Sequence, residues 1–318
     1  MFPKMICNKN STILRVTFCF GEETEVCMPL FYEALIIGLY GLSLLLNIAH
    51  IAVLCRLRKM KGTVFHKLLI TTSVLDILDA FMKISTFACS VRVIGMENWT
   101  MVCALVSMID IIAGARSLMQ CAAIIDRWLS LARPYEYDSI FFIKRFNSTN
   151  GFAISVLAAL IAFKNAYCHR EFCLANVIGF IYSPKSIEII LMLVLFLINF
   201  IVVNVFVFLI GFYLREMRLR SWLSEDDRLL QQAAKYAVVT YILHFICMFG
   251  YLIFFLHIAR MFSMTLSFNV LSNFMMFSAV LSSCYGSLNI VTFAWYTSGY
   301  RNEIRKICGI QPTQVGVN

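Results

Sequence analysis

Long apolar runs constrain this chain more than any other feature of its sequence. A membrane-spanning helix needs about 20 apolar residues. Seven candidate runs are present, and the fourth is short enough to need flanking residues: Ala34–Leu54, Leu68–Val91, Met101–Ile125, Gly151–Phe163, Ile189–Leu214, Tyr236–His257 and Leu271–Phe293. The chain is 60% hydrophobic and 14% charged, whereas soluble domains are about half apolar and a quarter charged. The sequence therefore predicts an all-α integral membrane protein, a bundle of seven transmembrane helices.

Charge between the runs predicts the orientation, because Lys and Arg are enriched in cytoplasmic loops. With the N-terminus outside, the cytoplasmic segments hold seventeen of the 27 Lys and Arg residues and the extracellular segments eight. Two glycosylation sequons, at Asn10 and Asn98, then also face outward. We expect residues 1–30 to form an extracellular N-terminal segment, 31–299 the transmembrane domain, and 300–318 a short amphipathic eighth helix and cytoplasmic tail. We therefore expect a multi-pass protein of the plasma membrane.

Composition and motif content argue against several other classes of protein. The net charge is +9, but the basic residues form short clusters between apolar runs rather than a stripe with interleaved aromatics, so no nucleic-acid partner is expected. None of the twelve cysteines stands in a Cys-x-x-Cys motif or a Cys/His array, so no structural metal is predicted. Neither a nucleophile–base pair nor a cofactor motif has plausible spacing, and we expect neither enzymatic activity nor a cofactor.

Ionisable residues inside the predicted spans are the first candidates for function, because such groups are costly in a membrane and face the bundle interior. Asp79 and Lys83 are one helical turn apart, a spacing that favours an ion pair. Asp76 and Arg116 each lie near the middle of a span, and their opposite charges should bring them together. Asp110 lies higher on the third span, where either a ligand or a loop could contact it.

A motif at the end of the third span gives a resemblance to a known family. Asp126-Arg127-Trp128, followed by Pro134 and Tyr137, resembles the third-span signature of rhodopsin-like G-protein-coupled receptors, with the spacing of vertebrate odorant receptors. Three polar residues in other spans match the same superfamily: Asn47, Asp76 and Asn289.

Two further segments resemble odorant receptors in particular. Phe172–Ile178 is similar to their second extracellular loop, and Thr240-x-x-x-His244 is similar to the start of their sixth span. The chain also departs from the family pattern. Asn289 is followed by Ile290 where the family has proline, and Arg116 stands where odorant receptors carry a glutamate.

The resemblance implies a receptor that senses a small molecule, such as an odorant, and activates a heterotrimeric G protein. Asp126 and Arg127 would couple the receptor to the G protein. In this family the mid-bundle aspartate commonly helps to hold a sodium ion, and the guanidinium of Arg116 would take that cation's place. The implied ligand pocket is lined by Ser107, Asp110, Gly114, Phe249 and Tyr251. The implied buried polar switch comprises Asn47, Asp76, Arg116 and Asn289.

Two alternatives stay open at this point. Another receptor of the same superfamily could bind an amine, a lipid or a peptide, and Asp110 as an ammonium partner favours the amine. A channel or carrier could use the charged residues of the second and third spans to line a permeation path. No pair of matching Gly/Pro-broken spans appears in the two halves, which argues against an inverted-repeat transporter.

Cys308 follows the amphipathic segment Tyr300–Ile307 and stands near Arg301, Arg305 and Lys306. A membrane-proximal cysteine beside basic residues is typical of S-acylation, which would fix the segment at the inner membrane face. An unmodified cytosolic thiol is the alternative.

The resemblance also implies a disulfide between Cys103 and Cys173, which would join the third span to the second extracellular loop. Removing a native disulfide typically costs about 2–5 kcal/mol, so Cys103→Ser should lose most of its expression at the cell surface. Cys55→Ser, at the predicted cytoplasmic end of the first span, is the matched control and should be expressed normally. Mass spectrometry that finds both thiols free in folded protein would contradict the bridge.

Overall fold

We describe the fold from a computed structural model, which covers residues 11–17, 23–57, 63–88, 99–148, 151, 154–156, 158–159, 187–219, 225–258 and 268–309. Most of these residues are helical, in agreement with the sequence prediction. The helices are α1 (Leu30–Leu54), α2 (Val64–Ala88), α3 (Trp99–Ala132), α4 (Phe141–Lys144), α5 (Ile187–Leu219), α6 (Glu225–Ile258), α7 (Phe268–Tyr296) and α8 (Ser298–Ile307).

A β-hairpin precedes the first helix, and the all-α prediction did not include it. Strands β1 (Ser11–Thr17) and β2 (Glu23–Pro29) pair antiparallel, with Ser11 opposite Pro29 and Thr17 opposite Glu23. Both strands contain β-branched residues, which favour extended backbone. Helix α1 begins at Leu30, directly after β2. The hairpin therefore lies within the predicted N-terminal segment.

Three helices in the described part of the chain contain stretches long and apolar enough to cross a membrane: Ala34–Leu54 of α1, Phe200–Met217 of α5 and Phe277–Tyr296 of α7. The first has the bounds predicted from sequence, and the other two overlap the predicted fifth and seventh spans. Helix α2 overlaps the second predicted span, and α3 and α6 cover the third and sixth predicted spans. The predicted fourth span, Gly151–Phe163, lies largely outside the described residues.

The long helices pack side by side and close a ring. Helix α1 contacts α2 and α7, α2 contacts α3, α3 contacts α5 and α6, and α6 contacts α7. At one point α1 and α7 approach closely, since a Cβ atom added to Gly286 would lie 2.2 Å from the Ser43 hydroxyl oxygen. The ring encloses a polar centre, and its outer surface carries large apolar side chains.

Those outward apolar side chains are strongly exposed. Leu45 of α1 is 66% exposed, Phe208 of α5 is 75% exposed and Trp295 of α7 is 76% exposed. In contrast, Asn47, Asp76 and other polar groups are buried. A helix bundle with apolar groups outside and ionisable groups inside is compatible with a lipid environment.

Several polar groups define where the helices end. The Thr63 hydroxyl accepts a hydrogen bond from the backbone N–H of His66 (3.2 Å), as an N-cap of α2 does. Arg301 donates from Nη1 to the carbonyl oxygens of Ala294 (2.9 Å) and Trp295 at the end of α7. These carbonyls lack partners inside their own helix, so Arg301 fixes the point at which the chain turns into α8.

A buried aromatic cluster joins α8 to the end of the bundle. The ring of Phe293 in α7 lies 5.0 Å from the rings of Tyr236 and Tyr300 and 5.3 Å from that of His50, between ring centroids. The Tyr300 hydroxyl and Nδ1 of His50 share a 2.6 Å hydrogen bond. Burial raises the pKa of Tyr300 to about 12, so its phenol stays protonated at neutral pH. Four helices thus meet around one phenylalanine.

Phe293→Ala should destabilise the protein strongly, because Phe-to-Ala changes in packed cores typically cost about 3–5 kcal/mol. We expect a clear fall in the thermal unfolding midpoint of the detergent-purified chain. Trp295→Ala is the matched control, since it removes a larger ring from the same helix at an exposed position and should change the midpoint little. Equal effects of the two substitutions would show that the aromatic cluster does not stabilise the junction.

Candidate functional site

The centre of the bundle contains an ion pair between α2 and α3, and this is the contact predicted for Asp76 and Arg116. Nη2 of Arg116 lies 2.5 Å from Oδ1 of Asp76 and 3.0 Å from Oδ2 of Asp79. The contact with Asp79 is a hydrogen bond, while the closer contact with Asp76 has the geometry of an ion pair alone. All three residues are buried. One nitrogen of the guanidinium therefore bridges two carboxylates that lie one helical turn apart on α2.

Lys83 completes this cluster from the next turn of α2. Its Nζ atom lies 3.0 Å from Oδ2 of Asp79, the ion pair predicted from the i, i+4 spacing. The same ammonium lies 5.1 Å from the centre of the Tyr40 ring in α1. Two carboxylates face two cations, so the cluster has no net formal charge. A neutral cluster is the arrangement in which burying ionised groups is least costly.

Aromatic and amide groups extend the cluster toward α6 and α7. The guanidinium carbon of Arg116 lies 5.5 Å from the centre of the Tyr285 ring, within cation–π range. The Tyr285 hydroxyl accepts a hydrogen bond from Nε2 of Gln120, and its ring packs edge-on against His244 at 5.3 Å. Through Tyr285, the guanidinium on α3 is linked to α7 directly and to His244 of α6 indirectly.

Several polar atoms of the cluster have no hydrogen-bond partner among the described residues: Oδ1 and Oδ2 of Asp76, Oδ1 of Asp79, Nε of Arg116 and Oε1 of Gln120. Buried polar groups are normally paired. The cluster is thus neutralised in charge but incompletely hydrogen-bonded. Removing either partner of the Asp76–Arg116 pair would leave an uncompensated charge in the interior.

The other two residues of the predicted polar switch make different contacts. Asn47 donates from Nδ2 to the carbonyl (2.8 Å) and hydroxyl (3.3 Å) oxygens of Ser43 on its own helix. Asn289 accepts at Oδ1 from the hydroxyls of Tyr236 (2.5 Å) and Thr240 (3.4 Å) in α6. Asn289 therefore links α7 to α6, and the structure divides the four predicted residues among three separate sets of contacts.

A small cavity lies between these sets. Its volume is about 30 Å³, counted as the space that the centre of a water molecule can reach. Its polar lining includes Gln120, Thr240, Tyr285 and Asn289. About 10–15 Å³ of such space holds one water. The cavity therefore has room for two or three water molecules between α3, α6 and α7, and is too small for an organic ligand.

The Asp126–Arg127 pair predicted as the coupling element is formed and buried. Oδ2 of Asp126 accepts hydrogen bonds from Nε of Arg127 at 2.9 Å and from its Nη2. The guanidinium carbon also lies 4.2 Å from the centre of the Phe65 ring of α2. Helix α3 continues to Ala132, so the pair lies within the helix rather than in its last turn. Two neighbours thus hold Arg127 against the bundle.

Tyr137 forms a hydrogen bond with the other carboxylate oxygen of Asp126. Its hydroxyl donates to Oδ1 of Asp126 from a short 3-10 turn, Tyr137–Ser139, that follows α3. Burial, and next the Asp126 carboxylate, raise the pKa of Tyr137 above its usual range, so the phenol stays protonated and acts as donor at neutral pH. The loop after α3 is thereby tied to the same carboxylate that holds Arg127.

The predicted ligand-pocket residues are described only in part. Gly114 lies in α3, and Phe249 lies in α6 with 48% of its surface exposed and its ring 6.1 Å from that of Phe245. The side chains of Ser107, Asp110 and Tyr251 lie outside the described residues, as do the side chain of Cys103 and all of Cys173, Asn10 and Asn98. Cys308 is exposed at the end of α8. The pocket, the disulfide and the glycosylation sites remain predictions.

Some members of the site were not predicted from sequence. The contact between Arg116 and Asp79 could have been found, because Asp79 is three residues from Asp76 and on the same helical face. Gln120, one turn beyond Arg116 on α3, carries the same kind of signal. Tyr285 gives no such signal, because a tyrosine in an apolar span is indistinguishable from an ordinary packing residue.

Comparison with known proteins adds no assignment to these observations. No protein-family model matches the chain, and none of the curated protein sequences matches it significantly. The class of protein must therefore be argued from the site itself.

Tyr137→Phe should loosen the loop that follows α3. A hydrogen bond to a charged group contributes about 1.5–3 kcal/mol, and its loss should speed backbone hydrogen exchange across residues 133–140 at least several-fold. Tyr135→Phe is the matched control, because Tyr135 is fully exposed two residues away. Unchanged exchange in Tyr137→Phe would mean that the bond to Asp126 does not hold the loop.

Proposed function

We propose that this chain is a G-protein-coupled receptor of the rhodopsin-like class, similar to odorant receptors, that crosses the plasma membrane seven times and senses a small, largely apolar molecule. The observation that carries the proposal is the buried Asp126–Arg127 pair, with Tyr137 on the second carboxylate oxygen. In the family that the chain resembles, the segment corresponding to Asp126-Arg127-Trp128 is the element that meets the G protein.

The contacts of Arg127 support a latch mechanism. In the described conformation its charge is satisfied by Asp126 and its planar face lies on Phe65, both inside the bundle. A ligand shifts such an equilibrium only by its differential affinity for the two states. Binding in the outer half of the ring would favour a second packing in which Arg127 leaves Asp126 and contacts the G protein.

An exposed aromatic residue supports a protein partner on the same side. Tyr135 is fully exposed in the loop after α3, between Pro134 and Glu136. Exposed aromatic side chains commonly become the central anchors of protein interfaces. Its loop is held to Asp126 by Tyr137, so movement of the latch would also move this residue.

The competing function is a channel or carrier, and the buried charges of α2 and α3 are the observation that favours it. In that function Asp76, Asp79, Lys83 and Arg116 would line a path for ions. Their mutual neutralisation favours the receptor instead, since these cations and carboxylates already balance one another in charge.

Membranes from cells that express the chain with a broadly coupling G protein should show ligand-dependent nucleotide exchange. A panel of small apolar esters, aldehydes and ketones is a suitable probe. Arg127→Gln should abolish nucleotide exchange. Tyr135→Ala should reduce the potency of the active compound in this assay about tenfold, the loss that corresponds to one interface anchor.

Tyr135→Phe keeps the ring and is the matched control, and surface expression should be equal for all variants. Ion flux measured in the same membranes separates the two functions. Flux that accompanies an active compound without any nucleotide exchange, and that Arg127→Gln leaves intact, would favour the channel or carrier and contradict the receptor.

A further inference from the structure

The centre of α2 brings two carboxylates together in the bundle interior. Asp76 and Asp79 are 1% and 2% exposed and lie one turn apart on the same face. Two ionised carboxylates in such a place repel each other and are poorly solvated, so they require a proton or a cation. Whether that cation is part of the chain or comes from solution determines whether the stability of the bundle depends on the salt present.

We propose that Arg116 is the resident counter-cation of this dyad and closes it to sodium and other soluble cations. Its Nη2 nitrogen stands between the two carboxylates, 2.5 Å from one oxygen and 3.0 Å from the other. This proposal concerns the charges of the bundle itself and goes beyond the proposed receptor function, on which it does not depend.

A sodium ion does not fit beside these residues. The resembling family implies such an ion next to the mid-bundle aspartate, where carboxylate oxygens would ligate it. Here the guanidinium occupies the position between Oδ1 of Asp76 and Oδ2 of Asp79, and Lys83 already supplies a second positive charge at Asp79. A further cation would give the neutral cluster a net positive charge in a poorly solvated interior. The residues therefore argue against an ion at this site.

The guanidinium is also held from its other side. The Tyr285 ring of α7 lies 5.5 Å from its central carbon, and Tyr285 contacts His244 of α6. A planar guanidinium can contact an aromatic face and a carboxylate at the same time, whereas a sodium ion or an ammonium lacks that shape. Arg116 thus joins α2, α3 and α7 through one covalently attached charge, whose local concentration does not depend on salt.

Removal of the guanidinium should turn the closed dyad into an open cation site. Arg116→Gln leaves two carboxylates with Lys83 alone, a net charge of −1 in the interior. The excess charge would then be neutralised by an ion from solution. Removing one carboxylate as well, in Asp76→Asn with Arg116→Gln, restores neutrality and should remove the demand for that ion.

The test is the thermal unfolding midpoint of the detergent-purified full chain in sodium chloride and in N-methyl-D-glucamine chloride at equal ionic strength. The wild-type midpoint should be the same in both salts. Arg116→Gln should unfold at a lower temperature and recover by about 3 °C or more in sodium, as binding of an ion to the folded state alone requires. The double variant should unfold above Arg116→Gln and show no preference for sodium.

Arg133→Gln is the matched control, because Arg133 forms an exposed pair with Glu136 and its loss should leave the midpoint unchanged in either salt. If Arg116→Gln yields no folded protein, the wild-type and double-variant measurements still decide the matter. A wild-type midpoint that rises in sodium over N-methyl-D-glucamine would overturn the proposal. So would a double variant that is no better folded than Arg116→Gln. No G protein takes part, so neither result bears on the receptor function.

Discussion

Burial of ionised groups is the physical constraint on which the rest of the bundle depends. A charge taken from water into a helix bundle is tolerated only where opposite charge and shaped neighbours replace its solvation. Arg116 meets this requirement for Asp76 and Asp79, and Lys83 brings the cluster to neutrality. Because the four groups come from two helices, the pairing of α2 with α3 is specified in register as well as in proximity.

The same principle operates at the end of α3, with a different outcome. Asp126 and Arg127 are neighbours in sequence, so their pairing joins no two helices. The contacts of the pair with Tyr137 and Phe65 connect it to the loop and to α2. A charge pair within one helix is easier to exchange than one between helices, since its separation does not require the bundle to come apart. The central cluster is therefore suited to holding the helices together, and the proposed receptor function would use the Asp126–Arg127 pair as the one that changes partners.

Hydrogen bonds between neutral groups join α6 to α7. Tyr236 and Thr240 of α6 bind Asn289 of α7, and a water-sized cavity separates them from Gln120 and Tyr285. At the end of α7, the aromatic cluster around Phe293 joins α8 to the bundle. Phe293 has no hydroxyl, so this position contributes ring packing alone, and Tyr236 directs its hydroxyl to Asn289 instead.

The helical class, most helix positions, and the two contacts at Asp76–Arg116 and Asp79–Lys83 could be predicted from the sequence alone. This was possible because apolar run length, helical spacing and opposite charge are local or one-dimensional signals. The N-terminal hairpin was missed, because its short strands carry a weak signal beside seven strong apolar runs. Three contacts could be seen only in the folded bundle. Arg116 bridges both carboxylates, Tyr285 lies against Arg116, and Asn47 donates to Ser43 on its own helix. Those contacts depend on helix rotation and on the close approach of α1 and α7 at Gly286, neither of which is encoded in the order of residues along one helix.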